Sequence, residues 1–176
     1  MDELKVISYN KFDLDQLIIT KKYETKLGDR HYIILRGDNV TVPKGEDGFE
    51  LKEGEKFYLD TPIMLVPFGI DKDNEKLNKF YLKAEFYNIK GNEEIKEFHK
   101  KLLELEKKVK EELKDKYKAK YFTNIKNTDI PSMKLKVPFR YGRSELEVFD
   151  SKGNRKTIYD IEAGTKCKFI LHPLEI

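Results

Sequence analysis

Between residues 80 and 89 (FYLKAEFYNI) the chain alternates, with Phe80, Leu82, Ala84 and Phe86 on one side and Tyr81, Lys83, Glu85 and Tyr87 on the other. Period two over this length predicts a half-buried strand, because successive side chains of a strand point to opposite faces. The alternation returns after residue 130, where Met133, Leu135, Val137 and Phe139 interleave with Lys134 and Lys136 ahead of Arg140, Tyr141 and Gly142. Between these runs the period changes. Ile95, Phe98, Leu102, Leu105, Val109 and Leu113 recur every three or four residues, which predicts a helix from about Glu93 to Tyr117 with one apolar stripe and Lys and Glu elsewhere. Asn92 is placed to cap it, and Glu93 and Glu94 fall in the first turn, where the helix dipole favours acids. The heptad-like spacing also suits a coiled coil, but about three heptads are marginal for one, so the stripe is expected to pack on the chain's own sheet.

Shorter signals fill in the rest. Residues 12–20 (FDLDQLIIT) fit either a short helix or the entry to a strand. Residues 31–36 form an apolar run closed by Gly37 and Asp38, a strand followed by a turn, and residues 44–48 read as a surface loop. Residues 57–66 (FYLDTPIMLV) are apolar but interrupted by Pro62, which predicts an edge strand or two short pieces around a bend. Leu146 and Val148 continue a short strand, residues 150–153 (DSKG) form a hairpin turn, and residues 155–159 begin the return strand. A last strand over residues 165–171 puts Cys167, Phe169 and Leu171 on one face and Lys166, Lys168 and Ile170 on the other. Ile176 follows closely on that strand, so the natural protein is expected to continue past it.

The fold class is therefore mainly β with one long helix (α+β). A length of 176 residues suits a single domain, 1–176, with residues 1–55 as an N-terminal extension or first strands and the helix, 92–118, inserted between strand runs. The 11 Phe and 10 Tyr give it bulky core material despite 38% charged residues. No stretch approaches the roughly 18–20 apolar residues that span a bilayer, and the first ten residues carry acids where a secretory leader carries bases, so an intracellular location is expected. The single cysteine, Cys167, has no internal partner, which fits a reducing compartment.

Candidate chemistry is narrower. His31 falls in a strand and His99 on the helix surface, without a nucleophile motif near either, and neither a GxxxxGK nor a GxGxxG loop occurs. Asp71 and Asp73 lack the spacing of a calcium loop and read as a solvated turn. A non-enzymatic protein without cofactor or metal is expected. Net charge is only +3, but residues 1–60 carry 10 basic and 13 acidic groups while residues 120–176 carry 11 and 7. From Met133 to Arg143 there are four cations and no acid. Cations also recur beside aromatic rings on expected strands, at Tyr81 and Lys83, at Phe139, Arg140 and Tyr141, and at Lys168 and Phe169. Binding of a single strand needs both ingredients, cations for successive phosphates and rings for unpaired bases. The candidate nucleic-acid-binding residues are Tyr81, Lys83, Tyr87, Lys134, Lys136, Arg140, Tyr141, Arg143, Lys166 and Lys168, with Tyr81, Tyr87 and Tyr141 as the stacking rings. The competing expectation is a structural or scaffolding protein that joins itself or a partner through its helix stripe and strand edges.

Certain phrases carry a resemblance: residues 61–70 (TPIMLVPFGI), 80–86 (FYLKAEF), the helix that follows, 135–138 (LKVP) and 148–153 (VFDSKG). Over about residues 50–176 the chain resembles the virus-encoded single-stranded DNA-binding proteins of the nucleocytoplasmic large DNA viruses. The resemblance implies an OB-like five-stranded barrel, with a further strand after residue 176, and a protein that coats exposed strands in DNA replication, recombination or repair in an infected cell. Single-stranded DNA is the implied partner, with RNA as a competitor and replication proteins or a second copy as further partners.

Overall fold

The computed structural model describes residues 6–19, 23–25, 28–30, 33–35, 57–71, 80–117, 123–141 and 143–172. In chain order its strands are β1 (Val6–Ile7), β2 (Leu17–Ile19), β3 (Tyr23–Thr25), β4 (Gly28–Arg30), β5 (Ile33–Leu35), β6 (Tyr58–Asp60), β7 (Met64–Val66), β8 (Ile70–Asp71) and β9 (Phe80–Glu85). The helix α1 (Glu93–Tyr117) comes next. It is followed by β10 (Ile125–Lys126), β11 (Ser132–Val137), β12 (Phe139–Arg140), β13 (Arg143–Ser144), β14 (Val148–Phe149), β15 (Arg155–Lys156), β16 (Thr165–Cys167) and β17 (Ile170–Leu171). The protein is thus mixed α+β and mostly β, and every described strand pairing except that of β1 with β6 is antiparallel. His31, the Gly37–Asp38 turn, the 44–48 loop and Asp73 lie outside the described residues. No helix among the described residues is long and apolar enough to cross a membrane.

Backbone proximity divides the chain into two compact units, Met1–Thr61 with Lys100–Phe122 and Phe169–Ile176, and Pro62–His99 with Thr123–Lys168. In the first, β6 lies between β1 and β17, and two further antiparallel pairs are formed by β2 with β5 and by β3 with β4. Within the run 12–20, the described residues 12–19 hold both of the expected structures in series. A 3-10 turn, Leu14–Gln16, starts where Asp13 accepts from the Asp15 N–H at 2.9 Å, and β2 follows it. Phe12 and Phe57 stack at 5.4 Å and are buried with Leu59 and with Leu102, Leu105, Val109 and Leu113 of α1. The Lys108 ammonium donates to the Leu14 carbonyl oxygen, fastening the helix to that turn.

The second unit is built on a sheet with the order β10-β11-β9-β7-β16, with β8 pairing along the free part of β9. Its path ends on β10 and β16, which do not pair with each other, so the described sheet is open. Phe80, Leu82 and Ala84 of β9 lie opposite Val137, Leu135 and Met133 of β11, and Met64, Val66 and Ile125 join them in the core. α1 begins as its sequence predicts, with Asn92 Oδ1 accepting from the Ile95 N–H at 3.3 Å. Its stripe is buried within this chain from Ile95 to Leu113, and Phe98 sits 6.0 Å from Phe86.

Several boundaries differ from the sequence pattern, each for a local reason. The run 57–66 is two strands, β6 and β7, divided at Pro62, which has no N–H to give to a ladder. Its partner run, 165–171, divides likewise into β16 and β17, and Thr61 Oγ1 accepts from the Phe169 N–H at 2.9 Å where the strands stop. Phe139 does not continue β11, because Pro138 intervenes. It opens a separate hairpin, and its ring stacks 4.1 Å from Phe80. Leu146 lies between strands rather than in one, and β15 ends at Lys156, where Thr157 and Asp160 exchange hydrogen bonds around the 3-10 turn Ile158–Asp160. The 150–153 turn forms as expected. Asp150 accepts from the side chain and N–H of Asn154 and from the Lys152 N–H, which holds its carboxyl below the ordinary carboxylate value.

His99 is half-buried, not on the surface: its ring meets Phe86 edge-on at 4.6 Å, and its Nε2 is buried without a partner. Burial lowers its pKa below the ordinary 6.5, against the opposing pull of a side-chain hydrogen bond with Asn127. The unfolded chain therefore takes up this proton first as pH falls, so the stabilisation is complete above about pH 6.5 and declines below it. Urea midpoints at pH 7.5 and 5.5 are expected to fall further in the wild type than in His99→Phe. Equal falls in the two proteins would show that His99 is not responsible.

Candidate nucleic-acid interface

Directly opposed residues in paired strands share a face, so the registers of the second unit's sheet determine what its outer surface carries. One row runs across all five strands of the path: Lys126 of β10, Ser132 of β11, Glu85 of β9, Leu65 of β7 and Lys166 of β16. A second row pairs Lys134 with Lys83, and a third runs from Lys136 through Tyr81 to Asp71 of β8. The core residues of the same strands occupy the intervening positions. Five lysines therefore share one surface, Lys83, Lys126, Lys134, Lys136 and Lys166, while the acids at register positions of these rows are Glu85 and Asp71.

Lys83 directly opposite Lys134 is an unfavourable cross-strand pair. Two contacts offset it. The Lys83 ammonium lies 2.7 Å from Glu85 Oε1, with the Glu85 side chain only 12% exposed, and Lys134 Nζ sits 3.9 Å from the centroid of the Tyr81 ring. Lys166 Nζ is 5.3 Å from the centroid of Tyr87, which follows β9 in the same alternation. Lys126, Lys134, Lys136 and Lys166 have no carboxylate partner among the described residues. A cleft of about 540 Å³ opens among Phe68, Tyr81, Lys83, Lys126, Ser132 and Lys134.

Six of the ten sequence candidates, Tyr81, Lys83, Tyr87, Lys134, Lys136 and Lys166, are thus brought together by register and ring contact. The other four are not. Arg140 and Arg143 pair across the β12–β13 hairpin, with Tyr141 at its tip, 96% exposed and held at φ 50°. The described link between that hairpin and the sheet is Phe139 on Phe80, a core-side residue, so no described contact brings the hairpin's cations to the lysine surface. Lys168 is exposed but lies beyond the end of β16, outside the register. Cys167 is half-buried on the opposite side of β16 from Lys166, and burial raises its thiol pKa, which leaves it a poor nucleophile.

Two members of the surface escape the sequence pattern. Lys126 sits on a strand of two residues, too short for a period to register. Phe68 is displayed by a bulge: Leu65 pairs with Glu85 and Ile70 with Leu82, so five steps of one strand run against three of the other. The Phe68 ring is 72% exposed, with Lys83 Nζ 5.2 Å from its centroid. The available signal is the tripeptide Pro67-Phe68-Gly69. Gly69 has φ +69°, and a Cβ there would lie 2.7 Å from the Ile161 carbonyl oxygen, so the bulge requires glycine. Gly69→Ala is expected to lower stability by roughly 1–3 kcal/mol, read from chemical denaturation, because both the left-handed backbone and the contact with Ile161 oppose a side chain. A variant as stable as the wild type would show that the bulge does not depend on this glycine.

No family model, curated protein or solved structure shows significant similarity to this chain.

Proposed function

We propose that this protein binds single-stranded DNA through the outer surface of the β10-β11-β9-β7-β16 sheet, coating exposed strands during replication, recombination or repair. The observation that carries the reading is the set of registers that puts five lysines and the rings of Tyr81 and Tyr87 on one surface. Lysines lacking carboxylate partners repel one another, and a polyanion lying across them relieves that repulsion and releases its counterions. Rings among those lysines offer unpaired bases a stacking surface, which a purely electrostatic patch would not need. The choice of DNA over RNA, the setting in an infected cell and the OB-like barrel rest on the phrase-level resemblance. The sheet path has the five strands a barrel would use, with α1 entering between β9 and β10. The scaffolding alternative loses one of its two surfaces, since the α1 stripe is covered by this chain itself.

The salt dependence follows from counting cations. Glu85 neutralises Lys83, leaving Lys126, Lys134, Lys136 and Lys166 to meet phosphate. At about 0.7 per neutralised phosphate on a single strand, log K against log salt should fall with a slope of about −3. Fluorescence anisotropy with labelled oligo-dT measures it. Lys134→Ala should flatten the slope by about 0.7, and Glu85→Gln should steepen it by a similar amount by freeing Lys83. Absence of binding at low salt, or binding indifferent to salt, would overturn the proposal.

A further inference from the structure

We propose that Phe68 is the residue by which this surface distinguishes an unpaired strand from a duplex. The inference rests on the strand-binding reading and adds to it a base subsite at one named ring. Lysines alone cannot make that distinction, because phosphates are present on both forms of DNA and contacts to them carry no information about pairing. An aromatic ring can. The faces of a paired base are already stacked on its neighbours, whereas an unpaired base has a face free for a side chain.

Three observations single out Phe68 among the rings of the surface. Tyr81 and Tyr87 are both partly buried, and Lys134 Nζ lies over the Tyr81 ring at 3.9 Å, closer than the 5.2 Å at which Lys83 Nζ approaches Phe68. Phe68 is 72% exposed, which leaves its ring open to a ligand. It is held there by a bulge that requires Gly69, not by a stray loop. Its ring also lines the cleft that contains Lys126 and Lys134, so a base on the ring would have cations beside it for the flanking phosphates. Lys83, next to the ring and fixed by Glu85 at 2.7 Å, limits where that base can lie. The ligand for the cleft is therefore one unpaired nucleotide of a longer strand.

The test compares wild type, Phe68→Ala and Phe68→Trp on a labelled mixed-sequence single strand and on the duplex of the same sequence, by anisotropy at low salt. Phe68→Ala should bind the single strand roughly tenfold more weakly, the expected loss of one stacked base, with duplex binding and salt slope unchanged. Its melting temperature should match the wild type's, since so exposed a ring contributes little to the core. The chain has no tryptophan, so Phe68→Trp supplies a single reporter. Its emission should be quenched by the single strand and spared by an abasic strand of the same length. A tryptophan in place of Phe149, which is 56% exposed on β14, should be quenched by neither. Unchanged single-strand affinity in Phe68→Ala, equal losses on both forms of DNA, or quenching by free mononucleotide as strong as by the strand would each overturn the subsite while leaving salt-dependent binding in place. If the wild type binds no DNA at low salt, the strand-binding reading fails first and the subsite with it.

Discussion

The pairing of β11 with β9 is the constraint on which the rest of the second unit depends. Six consecutive residues of each strand are matched, from Ser132 with Glu85 to Val137 with Phe80. A shift of one residue would turn Lys134 and Lys136 into the core and expose Met133, Leu135 and Val137. The magnitudes show why the observed register holds although it sets Lys83 against Lys134. Burying one large apolar side chain is worth about 1.5–3 kcal/mol. A cross-strand like-charge pair costs about 0.2–1 kcal/mol. Met133 and Val137, both buried, together outweigh that repulsion, and the Glu85 and Tyr81 contacts reduce it further. The cationic surface is thus a by-product of the apolar core, fixed as firmly as the core is.

What the sequence makes legible follows the same logic. β9, β11 and α1 are long enough for their periods to exceed the noise of single residues, and their apolar positions fall on the buried side, with Leu135 half-buried and Glu85 and Ser132 buried although polar. Tyr81, Lys83, Lys134 and Lys136 could be assigned to one surface once β9 and β11 were neighbours, a relation the alternation itself does not contain. Lys166 and Tyr87 met by the same route, through β7. Arg140, Tyr141 and Arg143 looked continuous with β11 because they follow it closely, but a proline at residue 138 ends the ladder and the chain turns into its own hairpin. Phe68 was hidden by the opposite effect. Pro67 and Gly69 mark a break in the strand, yet which way a bulge sends its side chain depends on the partner strand, and no local pattern encodes that.

Net charge is a poor guide to such a surface. At physiological ionic strength the screening length is on the order of 8 Å, so a phosphate on the sheet responds chiefly to the charges within that distance of it. The formal +3 sums every charged group of the chain, whatever its distance from such a surface. Within that short range, Glu85 has a particular weight: it sits at 2.7 Å from one of five lysines and removes that lysine from the field a strand would meet. The same contact keeps the Lys83 ammonium in place beside Phe68. A single carboxylate thereby divides the surface into an outer set of cations, open to any polyanion, and an interior position where charge is already balanced and an exposed ring is the remaining feature. Under the proposed function, affinity would be carried by the four lysines without a described carboxylate partner and selectivity by the ring of Phe68, which lines a cleft with two of them, Lys126 and Lys134.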